Sequence, residues 1–101
     1  MWLLVLFDIS TVTVESRRDY RVFRKELGHS GFSRLQKSVY QRHFSTVKAS
    51  KPTELQLIAI LPAEGDIRII SLGDEQIKQV RIYHAKEKQS ADNPPKQLEI
   101  F

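Results

Sequence analysis

An α+β sandwich, one sheet covered by helices, is the fold class this chain predicts, and three observations carry the prediction. A short apolar run, Trp2-Leu3-Leu4-Val5-Leu6-Phe7, ends on the carboxylate Asp8 and suits a buried strand. Tyr20, Phe23 and Leu27 recur at helical spacing directly after it. Strand-like and helix-like segments then alternate through the rest of the 101 residues. A chain of this length forms one domain that buries perhaps ~65% of its unfolded surface, a thin core that is often shared with a second copy.

The first strand, residues 2–7, is short and continuously apolar, as a strand covered on both faces would be, and it delivers Asp8 to its carboxyl end. An acid there could simply start a turn or cap the next helix. It could equally face solvent and ligand. Ser10 to Thr13 supply N-cap hydroxyls for a helix over 14–27, which Gly28 and Gly31 end. Arg17, Arg21, Arg24 and Lys25 fall on a different side of that helix from its apolar stripe, with Arg18 flanking them.

Residues 32–44 read as one long strand. Arg34, Gln36, Ser38, Tyr40 and Arg42 alternate on one face and Leu35, Lys37, Val39, Gln41 and His43 on the other. Residues 45–51 read as a loop, and Pro52 opens a packed helix over 55–61. Pro62 to Asp66 is a turn, 67–72 a β-branched strand, Gly73-Asp74 a second turn, and 80–84 a short strand. The order β-α-β-α-β-β, with the first two strands parallel through a right-handed crossover, makes a ferredoxin-like βαβ-αββ sandwich the economical solution. The expected organisation is a domain over 1–85, a polar linker over 86–96 and a terminal strand over 97–101. Leu98, Ile100 and Phe101 of that strand would pair with a sheet edge, on another chain or in the sheet of the same chain. A two-fold homodimer sharing sheet edges follows from the thin core and this apolar end.

Charge narrows the function. The net charge is +4, and residues 1–44 hold six arginines and two lysines against four acids, whereas 45–101 are balanced at eight and eight. Arginine's planar fork suits phosphate, so a polyanion is the expected partner. Arg17, Arg18 and Arg21, helped by Arg34 and Arg42, are the candidate nucleic-acid contacts. The chain has no cysteine, which removes disulfides, thiolate metal sites and cysteine nucleophiles. The apolar run lacks a basic leader and is ended by Asp8, no segment is long enough to span a membrane, and a cytoplasmic location is expected. His29, His43 and His84 show no metal-ligand spacing, and no Gly-rich phosphate loop, HExxH motif or RNA-recognition aromatic motif is present. One strand-end carboxylate remains, able to hold a hard cation such as Mg²⁺ when water and phosphate complete its shell. Two such carboxylates brought together across a two-fold axis would make a better site.

The run Leu4-Val5-Leu6-Phe7-Asp8-Ile9-Ser10, the pair Arg17-Arg18, the segment Gly31 to Tyr40 containing Gln36-Lys37-Ser38-Val39, and Leu61-Pro62 through Ile67-Arg68-Ile69 resemble the CRISPR-associated protein 2 family. The resemblance spans essentially the whole chain. It implies a dimeric ferredoxin-like subunit of the spacer-acquisition machinery, with Asp8 as catalytic and metal-binding acid for Mg²⁺ (or Mn²⁺). It further implies an integrase partner, CRISPR-associated protein 1, and double-stranded DNA as ligand, with single-stranded RNA as the alternative polymer. Three roles stay open on the residues alone: an architectural DNA-binding subunit, a Mg²⁺-dependent phosphodiesterase, and a toxin-like ribonuclease acting without an integrase.

Overall fold

The computed structural model describes residues 1–86. It contains β1 (Trp2–Asp8), α1 (Val14–His29), β2 (Ser33–Gln36), β3 (Val39–His43), α2 (Val47–Ala59), β4 (Asp66–Leu72) and the short α3 (Asp74–Ile77). The four strands form one sheet in the order β2-β3-β1-β4, every neighbouring pair antiparallel. β1 and β2 run in the same sense with β3 between them, so the expected βα crossover is present although its two strands do not touch. This is the ferredoxin-like α+β arrangement that the alternation of elements predicts.

Strand pleating sorts β1 into two faces. Leu3, Val5 and Phe7 are buried and meet Tyr20, Phe23 and Leu27 of α1 and Leu57 of α2 in one core. Phe7 is the hub, its ring 5.2 Å from Phe23, 5.7 Å from Tyr20 and 5.8 Å from Tyr40. Trp2, Leu4 and Leu6 point the other way and are only half-buried. Within one chain, therefore, the apolar first strand is covered on one face and not on both.

Four segments differ from the sequence expectation. Residues 32–44 are a hairpin instead of one strand, turning at Lys37-Ser38. That turn contains no glycine, and the core holds it from outside: Phe7 N–H donates to the Ser38 carbonyl at 3.1 Å and Tyr20 Oη–H to the Lys37 carbonyl at 3.0 Å. The hairpin of the fold therefore lies before α2 and not after it. α1 continues through Gly28 to His29, and the turn that ends it uses Gly31 at φ +85°.

α2 begins a turn earlier than Pro52, because Thr46 Oγ1 accepts the Ala49 N–H at 3.1 Å and caps the helix there. Pro52 is thus inside the helix, a position that removes one backbone donor. Buried Ser50, whose hydroxyl donates to the Val47 carbonyl, and buried Leu57 seat the helix on either side of it. Residues 80–84 form no strand. Gly73-Asp74 opens α3, with Gly73 N–H donating to Gln76 Oε1 at 2.7 Å, and the chain then runs irregularly to Ala85. The expected terminal strand with Leu98, Ile100 and Phe101, and nearly all of the expected linker, lie outside the described residues.

Candidate functional site

Asp8 is the last residue of β1 and is exposed. Alternation puts it on the open face of the sheet, in line with Trp2, Leu4 and Leu6. Directly opposite stands Asp66, the first residue of β4. Both line a small cavity of about 270 Å³ on the open face, together with Leu6, Val39 and Arg68. No ion pair or side-chain hydrogen bond engages Asp8, Asp66 or Arg68 among the described residues. Two like charges face each other across neighbouring strands, an arrangement that is unfavourable unless something neutralises it.

Gly65 sets the close approach of these two ends. It adopts φ +109°, and a Cβ there would lie 2.7 Å from the Asp8 carbonyl oxygen. Only glycine lets the loop before β4 close onto the end of β1 and bring Asp66 beside Asp8. Asp66 is the residue that the sequence reading missed. The Gly65-Asp66 dipeptide carries the signal, but read as a turn it says nothing of the strand it will face.

The helix side of Asp8 opens into a second cavity of about 560 Å³, which reaches the start of α1 and includes Ser10, Thr13, Asp19 and Glu64. The helix start is already capped. Thr13 Oγ1 accepts the Ser16 N–H and Ser16 Oγ accepts the Thr13 N–H, each at 3.0 Å. The donor set at Asp8 and Asp66 consists of hard carboxylate oxygens, which fits a Mg²⁺-type ion that keeps most of its water or takes phosphate oxygens. Among the described residues no group of three or more potential ligands converges. One chain thus offers two.

The five candidate phosphate contacts separate into different settings. Arg18 and Arg21 stay together on the flank of α1, where they line a shallow groove of about 720 Å³ with Arg24, Lys25 and Tyr40 of β3. Arg17 turns back, donating from Nη1 to the Thr11 and Val12 carbonyls at 3.2 and 3.1 Å, and so braces the loop between β1 and α1. Arg42 is half-buried. Its Nη1 donates to the Ser30 carbonyl at 2.6 Å and its guanidinium lies 4.4 Å from the centre of the Phe44 ring. Arg34 is exposed on β2, opposite Tyr40, beside Lys37 and the segment around Tyr83. All five lie on the helix-bearing side or its rim, away from the Asp8–Asp66 pair.

At the other end of the sheet Asp74 joins three elements. It lies 3.2 Å from the α-amine of Met1 and 3.4 Å from His43 Nε2, while the amine also donates to the Phe44 carbonyl at 2.9 Å. Hydrogen bonding to the amine, its positive charge and His43 together hold the Asp74 carboxyl below its usual value. Among the described residues no helix is long and apolar enough to cross a membrane.

The family described as CRISPR associated protein Cas2 matches residues 1–80. A CRISPR-associated endoribonuclease Cas2 of Parvibaculum lavamentivorans is 34% identical over 101 residues, covering all of both chains. The protein of the same description from Flavobacterium psychrophilum is 32% identical, covering all of this chain and 88% of its own. The crystal structure of Streptococcus pyogenes Cas2 at pH 6.5 superposes with a TM-score of 0.66 at 24% identity, covering 83% of this chain and all of that one, which is a likeness of fold. The chain belongs to the Cas2 family.

Proposed function

We propose that this Cas2-family chain acts in CRISPR spacer acquisition as a two-fold dimer that bridges dimers of the integrase CRISPR-associated protein 1 and holds the protospacer duplex. The observation that carries the reading is the open face of the sheet. Trp2, Leu4, Leu6, Val39, Ile70 and Leu72 make one apolar surface, half-buried for the most part and with Ile70 41% exposed, that ends at Asp8. A second copy covering that face would complete the burial of β1 and bring two Asp8 residues towards one axis. The dimer in this reading forms through sheet faces. Duplex DNA would lie on the opposite, basic side, where Arg18 and Arg21 of both subunits meet phosphates without reading bases.

Family membership and the endoribonuclease names of the curated relatives support a nuclease capacity on RNA. Asp8 would hold the Mg²⁺ or Mn²⁺. When bound, the ion supplies Lewis-acid stabilisation of the charge that develops on a phosphodiester.

Copurification with the integrase, combined with a nuclease assay of Asp8→Asn, tests the reading. The expected result is a stable complex with the integrase, and cleavage that requires Mg²⁺ and is lost in the variant. Failure to capture the integrase together with cleavage intact in the variant and in EDTA would overturn it. For the DNA surface, Arg18→Ala with Arg21→Ala removes four positive charges from a dimer. Up to roughly four units should then vanish from the slope of log affinity against log salt. An unchanged slope would make this groove an ordinary solvated helix face.

A further inference from the structure

We infer that the groove along the outer edge of β2 is a subsite for single-stranded RNA, with Arg34 and Lys37 on its phosphates and Tyr83 beneath an unpaired base. The inference deepens the RNA reading above and rests on it. β2 is the end strand of the sheet, and all of its residues are exposed. Beyond α3 the chain passes beside it at residues 82–85 without joining its ladder. Between them lies a groove of about 630 Å³, lined by Arg34, Gln36 and Lys37 from the hairpin and by Ile82 and Tyr83 from the later segment. That is the size of a small-molecule site, so it admits a splayed nucleotide and not a duplex.

Charge and aromatic surface occur together here. Neither Arg34 nor Lys37 forms an ion pair among the described residues. Cations on an edge strand deter pairing with a further strand, but that purpose needs no aromatic ring across from them. Tyr83 is 36% exposed and its neighbour Ile82 60% exposed. A cationic groove with an aromatic wall suits a single strand, because every base has a face to stack and every linkage a charge to neutralise. Gln36 adds an amide that both donates and accepts, which a ribose 2′-hydroxyl can meet and a deoxyribose cannot. The groove lies at the same end of the sheet as Asp8. Phe7, the neighbour of Asp8, donates its N–H to the Ser38 carbonyl of the hairpin turn at 3.1 Å. With neighbouring strands about 4.8 Å apart, β2 lies about 10 Å from β1, so an RNA strand cut near Asp8 would run over Lys37 into the groove.

The test is binding of a fluorescein-labelled single strand of riboadenines to the full chain, read by anisotropy in EDTA, beside a deoxyadenine strand of equal length and a DNA duplex. Tyr83→Leu keeps apolar bulk and removes the stacking face, and should weaken RNA at least about fivefold while leaving the duplex within about twofold. Lys37→Gln should lower the slope of log RNA affinity against log salt by roughly 0.7 for each chain that contacts the strand. Lys51→Gln, on α2 and outside the groove, should leave that slope unchanged. The RNA should bind about two- to tenfold tighter than the DNA strand, the worth of one net hydrogen bond. Unchanged RNA affinity in Tyr83→Leu together with an unchanged slope in Lys37→Gln would overturn the inference. So would equal weakening of RNA and duplex by Tyr83→Leu, which marks a structural role, equal effects of Lys37→Gln and Lys51→Gln, which mark general electrostatics, or equal affinity for the DNA strand. The expected binding pattern in a protein that cleaves no RNA with Mg²⁺ would instead overturn the nuclease reading and leave the subsite standing.

Discussion

The two faces of the sheet are built from alternate residues of the same strands, yet they solve different problems. On the helix-bearing face Leu3, Val5, Phe7 and Tyr40 disappear beneath Phe23, Leu27 and Leu57, and the Phe7 hub ties three aromatic rings together. On the open face Trp2, Leu4, Leu6, Val39 and Leu72 remain half-buried, and the row ends in two acids that form no ion pair among the described residues. The first face keeps the domain folded. The second leaves apolar area and the acids of its strand ends exposed. A strand with a two-residue period lets one short segment, Trp2–Asp8, serve both ends at once.

The sharpest way to separate the faces is to truncate one side chain on each. Phe23→Ala on the helix side removes a ring that is 1% exposed and should cost about 3–5 kcal/mol in chemical denaturation. In a domain with this thin a core, that loss should leave much of the population unfolded at room temperature. Leu6→Asp on the open face should behave oppositely. Light scattering should show a monomer while circular dichroism keeps the folded signal, because the new charge burdens only the surface between copies. If Leu6→Asp leaves the dimer intact, the open face is not the contact between subunits.

A smaller effect is expected where the faces meet at the site. Gly65→Ala must place a Cβ against the Asp8 carbonyl at a positive φ, so it should cost about 1–3 kcal/mol in thermal or chemical unfolding. It should also pull Asp66 away from Asp8. Full stability in this variant would mean that the loop closes onto β1 in some other way.

The smallest effect lies at the far end, at Asp74. Its carboxyl titrates below its unfolded value because the Met1 amine and His43 favour the charged form. Such a group stabilises the fold fully above the ordinary carboxylate range, near pH 4, and loses that contribution as pH falls through the lower, folded value. Melting temperatures of the wild type and Asp74→Asn should therefore differ above about pH 5 and converge under stronger acid. A difference that instead widens under acid would contradict the ion pair.

What was legible in the residues is tied to periodicity. Tyr20, Phe23 and Leu27 point to the buried stripe of α1, the run 2–7 points to a core strand, and Asp8 marks that strand's exposed end. The capping hydroxyl at Thr13 is local too, since the cap forms with Ser16 three residues on. Much of what was misread depends on partners distant in sequence. The hairpin turn at Lys37-Ser38 has no turn residue of its own and is held by Tyr20 and Phe7. α2 runs through Pro52 because Thr46 caps it earlier and Leu57 anchors it, and the expected Gly73-Asp74 turn opens α3, whose first residue binds Met1 and His43, while 80–84 run irregularly. The arginine set was half legible: helical spacing gathers Arg18 and Arg21, but only packing diverts Arg17 to the loop carbonyls and Arg42 to Ser30 and Phe44.

By itself the sequence determined the α+β class, the core stripe, the excess of arginine in the first half and the position of Asp8. Each of these is a property of neighbours within a few residues or of composition. Only the tertiary structure decided that Asp66 faces Asp8, that one side of the sheet stays open, and which arginines remain available to phosphate. Those depend on strand register and on contacts between residues tens of positions apart, where a shift of one residue would turn every side chain of a strand to the opposite face.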